Sequence, residues 1–369
     1  VQGSVELYDA YLGDGFTIED TYADLVFENN VLSINGNNIN GSYDFNTGFI
    51  NLSVDKSFLF GLDVKGKLGK SYDLQVSNLF FPLPVANQFI NTVLVNIPGG
   101  NLEGNFSIIG NNKELGLYGM LYIQTLEVSS FFLPDQLLIA NNLVITLHGD
   151  TISVPKTSMY GRKGDGTYYY APTTIEANLL GLSVSDIEIS MNMEEDQPVD
   201  FWLPYTINGF PFEFRGDLSG NIILWYRAGR GIGVGGNALS SNTLIDFVIG
   251  DMPPWWYDLT TPLNMDITFI TGKNFEIYYP ERDNSIINFT LDPGQSLYVD
   301  YNMNTNVIKA DGTLSFMNGQ IFYFQNDFYI TEGSVSLASK DFYGEEKFNL
   351  SLDLIAKLSE YDSNGNKVD

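Results

Sequence analysis

The stretch Phe348-Asn-Leu-Ser-Leu-Asp-Leu-Ile-Ala-Lys-Leu358 decides the fold class, because apolar and polar residues alternate along it. Its even-numbered residues are all apolar, and its odd-numbered residues are polar except Ile355. Successive side chains of a strand point to opposite faces, so this stretch predicts a β-strand with one apolar and one polar face. The same alternation recurs in the stretches Phe49–Val54, Leu115–Ile123, Ile187–Met193 and Ile308–Phe316.

Asn and Gly pairs separate these alternating runs at short intervals, and both residue types tolerate the positive φ angles of tight hairpin turns. The pairs are Asn29-Asn30, Asn35-Gly36, Asn40-Gly41, Gly99-Gly100, Asn111-Asn112 and Asn318-Gly319. Many short strands joined in this way predict an antiparallel all-β protein. Two short helices are also predicted, an amphipathic one near residues 83–96 and a second one over residues 237–247.

The composition excludes several classes of function. The 369 residues include 45 acidic and 18 basic ones, which gives a net charge of −27. This charge argues against nucleic acid as a partner and against a basic face that adheres to anionic lipid. The chain has no cysteine, which rules out disulfides and thiolate chemistry, and its 44% hydrophobic content rules out intrinsic disorder.

No stretch approaches the roughly 18 uninterrupted apolar residues of a transmembrane helix. The chain starts at Val1 without a recognisable leader and stops on a turn-like tract at Asn364-Gly365. We therefore expect a fragment of a longer protein, with any signal or anchor absent or removed.

Residues with the potential for chemistry are few. Gly231-Ile-Gly-Val-Gly-Gly236 matches a dinucleotide-binding glycine pattern, but no βαβ context surrounds it, which favours strand or turn glycines. His148 is the only histidine, so a zinc site or a catalytic triad would depend on it alone, and a strand position at the surface is the better interpretation. We expect no catalytic residue, no metal, no cofactor and no enzymatic activity.

Three other motifs have structural interpretations. Asp362–Asn366 shares the first ligands of a calcium loop but is more typical of a hairpin turn. Glu194–Asp196 is expected in a solvated turn. The aromatic clusters Tyr168–Tyr170 and Trp255–Tyr257 are typical either of cross-strand packing or of interface positions.

The apolar faces of so many strands need cover, and the sequence offers almost no helices to supply it. A two-sheet sandwich, a closed barrel or an open channel with an apolar interior would each bury these apolar faces. A channel of this kind would bind acyl chains, which need a dry lining and no specific polar partner.

The order of motifs resembles the TamB family, the translocation and assembly module subunit, within the AsmA-like group. Gly319-Gln-Ile-Phe-Tyr323, Phe328-Tyr-Ile-Thr-Glu-Gly333 and the strand from Phe348 to Ala356 match its C-terminal motifs. Glu346-Lys347 replaces the usual Asn-Pro before the last strand. Asn78–Pro84, the short helix and Gly99–Gly110 resemble the earlier repeats of the family.

This resemblance implies an elongated, curled antiparallel sheet with an open apolar groove, called a β-taco. Residues 1–250 would form groove-building repeats, and residues 251–369 would form the C-terminal segment. Members of the family are anchored in the inner membrane, span the bacterial periplasm and meet an Omp85-type barrel of the TamA or BamA kind. They are implicated in carrying phospholipids to the outer membrane.

We expect the lipid-binding groove to be lined by the apolar face of several strands. The predicted lining residues are Leu115, Leu117, Leu121, Ile123, Ile187, Ile189, Met191, Leu314, Phe316, Phe328, Ile330, Val335, Leu337, Leu350, Leu352 and Leu354. Two other functions remain open at this point: a chaperone or assembly scaffold for outer-membrane proteins, and an adhesin or structural sandwich without a lipid role.

Overall fold

The structure is a computed structural model of the whole chain. It describes every residue except 9, 12–16, 19, 57–58, 89–94, 112–113, 135, 163–165, 182, 208–209, 248–262, 303, 306, 324–325, 343–344, 359, 362–366 and 369. For residues 10–11, 17–18, 162, 205–207, 210, 263, 323, 326, 340–342, 345–350, 360–361 and 367–368 only the backbone is described. Trp255–Tyr257 and Asp362–Asn366 therefore lie outside the described residues.

The protein is all-β, with 79% of the chain in strands of a large, mostly antiparallel curled sheet and almost no helix. This confirms the fold class predicted from alternation and turns. In the described part of the chain, no helix has the length and apolar character needed to cross a membrane.

Contacts divide the chain into two units. The first comprises Val1–Ser130, Gln136–Tyr168 and Pro172–Ile189, and the second comprises Phe131–Asp135, Tyr169–Ala171 and Ser190–Asp369. A domain boundary near residue 250 stays a prediction, because residues 248–262 are not described.

The first part of the chain forms short and then longer hairpin strands. They are β1 (Gln2–Leu7), β2 (Ala10–Tyr11), β3 (Thr17–Ile18), β4 (Thr21–Glu28), β5 (Val31–Gly36), β6 (Ile39–Asp44), β7 (Phe49–Val54), β8 (Gly61–Leu68), β9 (Tyr72–Pro82), β10 (Asn96–Gly99), β11 (Asn101–Gly110), β12 (Leu115–Ser129), β13 (Leu137–Gly149), β14 (Thr151–Arg162), β15 (Tyr168–Leu180) and β16 (Ser183–Met193). In the first unit β1 pairs with β4, and from β4 each strand pairs antiparallel with the next up to β9. The order continues through β11, β12 and β13 to β14.

The predicted turns have different outcomes. Asn40-Gly41 lies inside β6 and Asn318-Gly319 lies inside β24, so the turns predicted there are wrong, because both pairs are hydrogen-bonded between neighbouring strands.

The turn predicted at Asn29-Asn30 is confirmed. Asn29 and Asn30 join β4 to β5 with φ angles of 52° and 63°. Both values lie in the left-handed region that asparagine tolerates better than other side chains. Exposure along β7 alternates residue by residue, with Ile50, Leu52 and Val54 on the protected face. The predicted strand period is thus confirmed at this point.

The remaining strands are β17 (Val199–Ile207), β18 (Phe210–Arg227), β19 (Gly231–Phe247), β20 (Leu263–Thr271), β21 (Phe275–Tyr279), β22 (Ile287–Leu291), β23 (Ser296–Asn302), β24 (Val307–Tyr323), β25 (Asn326–Phe342), β26 (Glu345–Leu358), β27 (Glu360–Tyr361) and β28 (Lys367–Val368). Most neighbours pair antiparallel, but β19 pairs in parallel with β20 and then with β21. This parallel pairing departs from the purely antiparallel expectation. Two parallel neighbouring strands need a connection that returns the chain to the same end of the sheet. The sequence pattern does not predict such a connection between β19 and β20.

The two predicted helices fare differently. A 3₁₀ helix covers Leu83–Gln88, so the start of the first predicted helix is helical but of another type. Residues 89–94 lie outside the described residues, and Asn96 belongs to β10. The helix predicted over residues 237–247 is wrong, because these residues form the second half of β19. Pairing with β18 on one side and with β20 and β21 on the other overrides the weak helical period. A further 3₁₀ helix, Arg282–Asn284, was not predicted.

Strand glycines allow neighbouring backbones to approach closely. Gly119 of β12 has a φ of 152°, and a Cβ added there would lie 2.5 Å from the carbonyl oxygen of Asn105 on β11. Only glycine fits such an approach without moving the partner strand. Glycines at such positions allow a sheet to curve.

Candidate apolar binding face

The apolar side chains of the first unit form continuous rows across its strands. Residues directly opposite each other in a sheet point to the same face. One row follows the register from β4 to β9 through Leu25, Ile34, Gly41, Leu52, Val64 and Val76. A second row, next to it, runs from β4 to β9 through Phe27, Leu32, Tyr43, Ile50, Gly66 and Leu74. We call this surface the apolar face of the first unit.

Exposure changes along this face. From β4 to β8, Leu25, Ile34, Leu52 and Val64 are half-buried. From β9 onward buried residues such as Leu74 and Val76 occur beside half-buried ones such as Phe106 and Ile108, and Leu143, which is 3% exposed, belongs to a core cluster. That cluster also includes Ile123, Ala140, Val154 and Met159, with Leu83 of the 3₁₀ helix packed against it. The face is thus half-buried at many positions from β4 to β8, and it contains a closed core on β12 to β14.

The predicted lining residues of β12 share this face. Leu115, Leu121 and Ile123 are buried and Leu117 is half-buried, whereas the intervening Tyr118, Met120 and Tyr122 are exposed. Leu121 lies opposite Ile145 and Ile123 lies opposite Leu143. On β16, Ile187, Ile189 and Met191 occupy alternate positions and are half-buried. The structure therefore places each of these sets on a single strand face.

The predicted lining residues of the second unit also fall on one face. Leu314, Val335 and Leu352 lie opposite one another on β24, β25 and β26. Leu337 lies opposite Leu350, of which only the backbone is described.

The other predicted lining residues of β24 to β26 are Phe316, Phe328, Ile330 and Leu354. A Cβ added at Gly333 would lie 2.7 Å from Leu354 and 2.8 Å from Phe316, so these side chains cover that glycine. Phe328 and the buried Ile330 follow two residues apart on β25, opposite Leu358 and Ala356 of β26. The predicted residues thus come together on one side of these three strands.

Much of this face in the second unit is closed to solvent. Leu291 and Ile267 are 1% and 2% exposed. The side chains are often aromatic. The rings of Phe289 and Phe316 are stacked with their centres 4.6 Å apart, and those of Phe214 and Phe269 are tilted with their centres 5.8 Å apart. This part of the second unit has the burial of an ordinary hydrophobic core.

A pair of hydroxyl groups interrupts the closed face. Ser240 and Thr243 are 0% and 1% exposed, and their hydroxyl oxygens are 2.6 Å apart in a hydrogen bond. Because each hydroxyl has the other as partner, the cost of burying them is small. The sequence pattern does not predict this pair, since both residues lie in the stretch for which it predicts a helix.

The opposite face is polar, and in both units it carries an asparagine at positive φ that is hydrogen-bonded to an aspartate of a neighbouring strand. In the first unit the amide of Asn78, at φ 53°, donates to Asp63 at 2.6 Å, and the backbone N–H of Asn78 donates to the side chain of Asn105. Hydrogen bonds from Ser53 and then Asn78 lower the pKa of Asp63. The bonds hold a bulged residue between two neighbouring strands.

In the second unit the amide of Asn242, at φ 47°, donates to Asp217 at 2.8 Å, and Asn274 donates to Asn242 at 2.9 Å. A register shift between Arg215 and Asp217 marks the bulge. Asparagine at positive φ inside a strand, bonded to an aspartate of the neighbouring strand, is a device that the sequence analysis missed.

The glycine-rich motif has a structural explanation. Gly231–Gly236 opens β19, and the indole of Trp225 lies against Gly233, where a Cβ would overlap its ring. The guanidinium groups of Arg227 and Arg230 lie 4.7 and 4.9 Å from the centre of the indole. The glycines make room for a buried tryptophan, which confirms that they are strand glycines.

The remaining candidate residues lie apart. His148 is exposed on β13 beside Tyr118, with ring centres 6.0 Å apart. Glu194–Asp196 are exposed and follow β16 as a turn. In the described part of the chain, no three His, Asp or Glu side chains are grouped as metal ligands would be. These positions match the structural interpretations given to them.

Tyr169, the middle residue of the Tyr168–Tyr170 cluster, is 1% exposed. Its hydroxyl has no hydrogen-bond partner among the described residues. Burial is the main cause that raises the pKa of Tyr169 strongly, and the nearby negative charge of Asp200 raises it further. This tyrosine therefore packs as a core residue, whereas Tyr168 and Tyr170 are exposed.

No family model, curated protein or solved structure matches this chain. The resemblance to the TamB family therefore stays a hypothesis that depends on the order of sequence motifs.

Proposed function

We propose that this protein is a non-enzymatic bridge in the bacterial periplasm that carries phospholipids between the inner and outer membranes and contributes to outer-membrane biogenesis. Acyl chains would lie on its apolar face. The observation that carries the proposal is the continuous apolar face of β4 to β8, on which Leu25, Ile34, Leu52 and Val64 are only half-buried. An apolar surface of this kind favours a ligand that covers it.

The apolar rows suit an alkyl chain in chemistry and in length. Leu25, Ile34, Leu52 and Val64 offer no side-chain hydrogen-bonding group, and an acyl chain needs none. Burial of each methylene contributes about 0.8 kcal/mol, a nearly uniform attraction that permits sliding. Four strand spacings from β4 to β8 extend about 19 Å, compared with about 15 Å for the hydrocarbon of one bilayer leaflet.

The resemblance to the TamB family supplies the cellular setting of this proposal. The full-length protein would be anchored in the inner membrane and would meet an Omp85-type outer-membrane barrel of the TamA or BamA kind. The present chain would be a periplasmic part of it.

The alternative function is a chaperone or assembly scaffold for outer-membrane proteins that works with the same barrel. The exposed strand β1 favours this alternative, since all six of its residues are exposed and it is paired with β4. A client strand could take its place by pairing with β4.

The first test is to purify the protein from bacterial cells and identify what accompanies it by mass spectrometry. Copurified phospholipid is the expected result. A retained polypeptide strand without lipid would support the scaffold function, and neither ligand would count against both.

A pair of variants tests the apolar face directly. Leu52→Asp places a charge on the face, and Asn51→Asp places the same charge on the exposed face of the same strand. A charge in a dry binding site costs several kcal/mol, so bound lipid should be lost in Leu52→Asp. Asn51→Asp should keep both lipid and melting temperature. Undiminished lipid in a folded Leu52→Asp protein would refute the proposal for the first unit.

The last long strand offers a second pair, Leu352→Asp and Asp353→Leu. Leu352 is 52% exposed, so an introduced carboxylate reaches water and the fold should survive by circular dichroism. Lipid passage should still be reduced in Leu352→Asp and remain normal in Asp353→Leu. Unfolding of Leu352→Asp, or unchanged lipid in the folded variant, would contradict a lining role for this strand.

A further inference from the structure

The strand β26 lies at an edge of the sheet. In the part of the chain that the structure describes, β25 is the only strand paired with β26. From Ser351 to Leu358 every side chain is exposed except that of Leu354, which is half-buried. An edge strand presents unpaired N–H and C=O groups to which a further strand can bind. The edge of β26 is therefore a surface for strand addition.

Three apolar side chains are exposed on this edge strand. Ile355 is 55% exposed, and Leu352 and Leu358 are 52% and 37% exposed. Ile355 is also the apolar exception on the otherwise polar face of the strand. Exposed apolar residues on an edge strand favour pairing with another chain, because pairing covers them and satisfies the backbone groups. A partner strand would explain why an isoleucine lies on the polar face.

The direction of the backbone groups follows from one hydrogen bond. The carbonyl of Ile355 accepts a hydrogen bond from the hydroxyl of Thr331 at 3.2 Å, so this carbonyl faces β25. Both backbone groups of a residue in an antiparallel strand point to the same side, and the side alternates from residue to residue. The backbone groups of the even-numbered residues from Leu352 to Leu358 therefore point away from β25, toward the open edge.

The segment Leu352-Asp-Leu-Ile-Ala-Lys-Leu358 is complementary to a second copy of itself that runs in the opposite direction. With a two-fold axis at Ile355, Asp353 of each copy lies opposite Lys357 of the other, and Leu352 lies opposite Leu358. The even-numbered residues then lie opposite one another, so their backbone groups can form hydrogen bonds. The two charge pairs take the positions without backbone hydrogen bonds, where opposite side chains are closest.

Other registers lose this match. Moving the partner strand by two residues in either direction places Asp353 or Lys357 opposite Ile355. Both charged side chains are exposed and lie opposite uncharged residues of β25. Glu332 of β25 lies opposite Ile355, and no ion pair joins it to Asp353 or Lys357 in the described structure. The two charges are therefore available to a partner strand.

We propose that two copies of this protein associate through β26, with the two strands antiparallel and Ile355 at the two-fold axis. The axis is perpendicular to the sheet, so the even-numbered leucines of both copies share one face. The apolar side of β26 then continues into the second copy, and the two Ile355 side chains cover each other on the polar side. This inference goes beyond the proposed function and does not depend on a bound lipid.

Sedimentation equilibrium of the full chain measures the dissociation constant of the dimer. A salt concentration of about 0.15 M screens the repulsion between two acidic copies beyond about 8 Å. Lys357→Glu and Asp353→Lys each place like charges opposite one another, and each should weaken the dimer about tenfold. Asp353→Lys also lowers the net negative charge, so a general repulsion between copies would give the opposite result.

Exchange of the two charges tests the register. The double variant Asp353→Lys/Lys357→Glu restores opposite charges and should bring the dissociation constant back to within about twofold of the original value. A mixture of the two single variants should form a mixed dimer in preference to either homodimer, because opposite charges meet at both positions. Lys65→Glu makes the same change at an exposed lysine of β8 and should not alter the dissociation constant.

The fold should survive in all of these variants, because the substituted side chains are exposed, and circular dichroism checks this. A protein that stays monomeric up to about 0.5 mM, where even a dimer of millimolar affinity is partly formed, would overturn the proposal. Dimers that none of the β26 variants weakens would place the contact elsewhere and would also overturn it. Single variants that the double variant does not rescue would refute the register centred on Ile355.

Discussion

The apolar faces of β4 to β8 and of β18 to β24 are built from the same strand pattern but reach different degrees of burial. In the first region aliphatic residues such as Leu52 and Val64 remain half-buried. In the second region Phe275 and Leu291 are 5% and 1% exposed. Phe316, which lies opposite Leu291 in the register, stacks on Phe289 with ring centres 4.6 Å apart. Alternation therefore specifies which face is apolar, and the side chains that pack over each position decide whether that face becomes core or remains available to a ligand.

The largest expected effect is a difference in unfolding free energy between two leucine-to-alanine substitutions, one in each region. Leu291→Ala removes a fully buried side chain and should cost about 3 kcal/mol of unfolding free energy, because a cavity remains. Leu52→Ala should cost about 1 kcal/mol, since its site is already open to solvent. Urea denaturation, with hydrogen exchange to assign the affected strands, measures both. Equal losses would mean that the first region is an ordinary core.

The next effect concerns the close strand approach that bends the first region. Gly66 has a φ of 145°, and a Cβ there would overlap the carbonyl of Asp73 on β9. Gly66→Ala should lower the free energy of unfolding by about 2 kcal/mol through strain. Gly69→Ala is the control, since nothing lies within 4 Å of its Cβ position. A neutral Gly66→Ala would show that curvature here does not depend on glycine.

A smaller effect tests the device that the two units share. Asn242→Ala should cost about 1 kcal/mol, because alanine loses both the bond to Asp217 and the tolerance of positive φ. Asn78→Ala should cost a similar amount in the first unit. Glycine at either position should recover most of the loss. Thermal melts of the four variants test this, and a glycine variant as unstable as its alanine counterpart would contradict the backbone explanation.

The smallest expected effect is a gain in stability. Tyr169→Phe removes a buried hydroxyl without a partner among the described residues and should stabilise the protein by about 0.5 to 1 kcal/mol at neutral pH. Since the folded-state pKa of Tyr169 lies above its unfolded value, native stability is complete below about pH 10 and falls as the pH rises further. The advantage of the variant should grow above that pH. A destabilised variant would indicate that the hydroxyl has a partner after all.

The sequence predicted much of this architecture because its strongest signals are local. Alternation identified β7, β12, β16, β24 and β26, and Asn29-Asn30 identified a turn with positive φ at both residues. The apolar partners Leu314, Val335 and Leu352 could be assigned to one face before their register was known.

What the sequence could not predict depends on tertiary partners. The parallel pairing of β19 with β20 joins residues about 30 positions apart in the sequence, such as Ile232 and Leu263, so a local pattern does not reveal it. The closed burial around Leu291 and the open face around Leu52 depend on what lies above each strand, which alternation does not encode. Trp225 explains the glycines near Gly233 only when the two strands are seen together.

The serial pairing of β4 to β9 has a mechanical consequence. Each strand is joined to the strand that precedes it in the chain, so a force on the end of this ladder would peel one hairpin at a time. The section of β19 to β21 differs, because its parallel strands would have to slide past each other along their whole length. Under tension the first region would therefore lengthen in small steps at low force, while the parallel section would hold until it gave way at once.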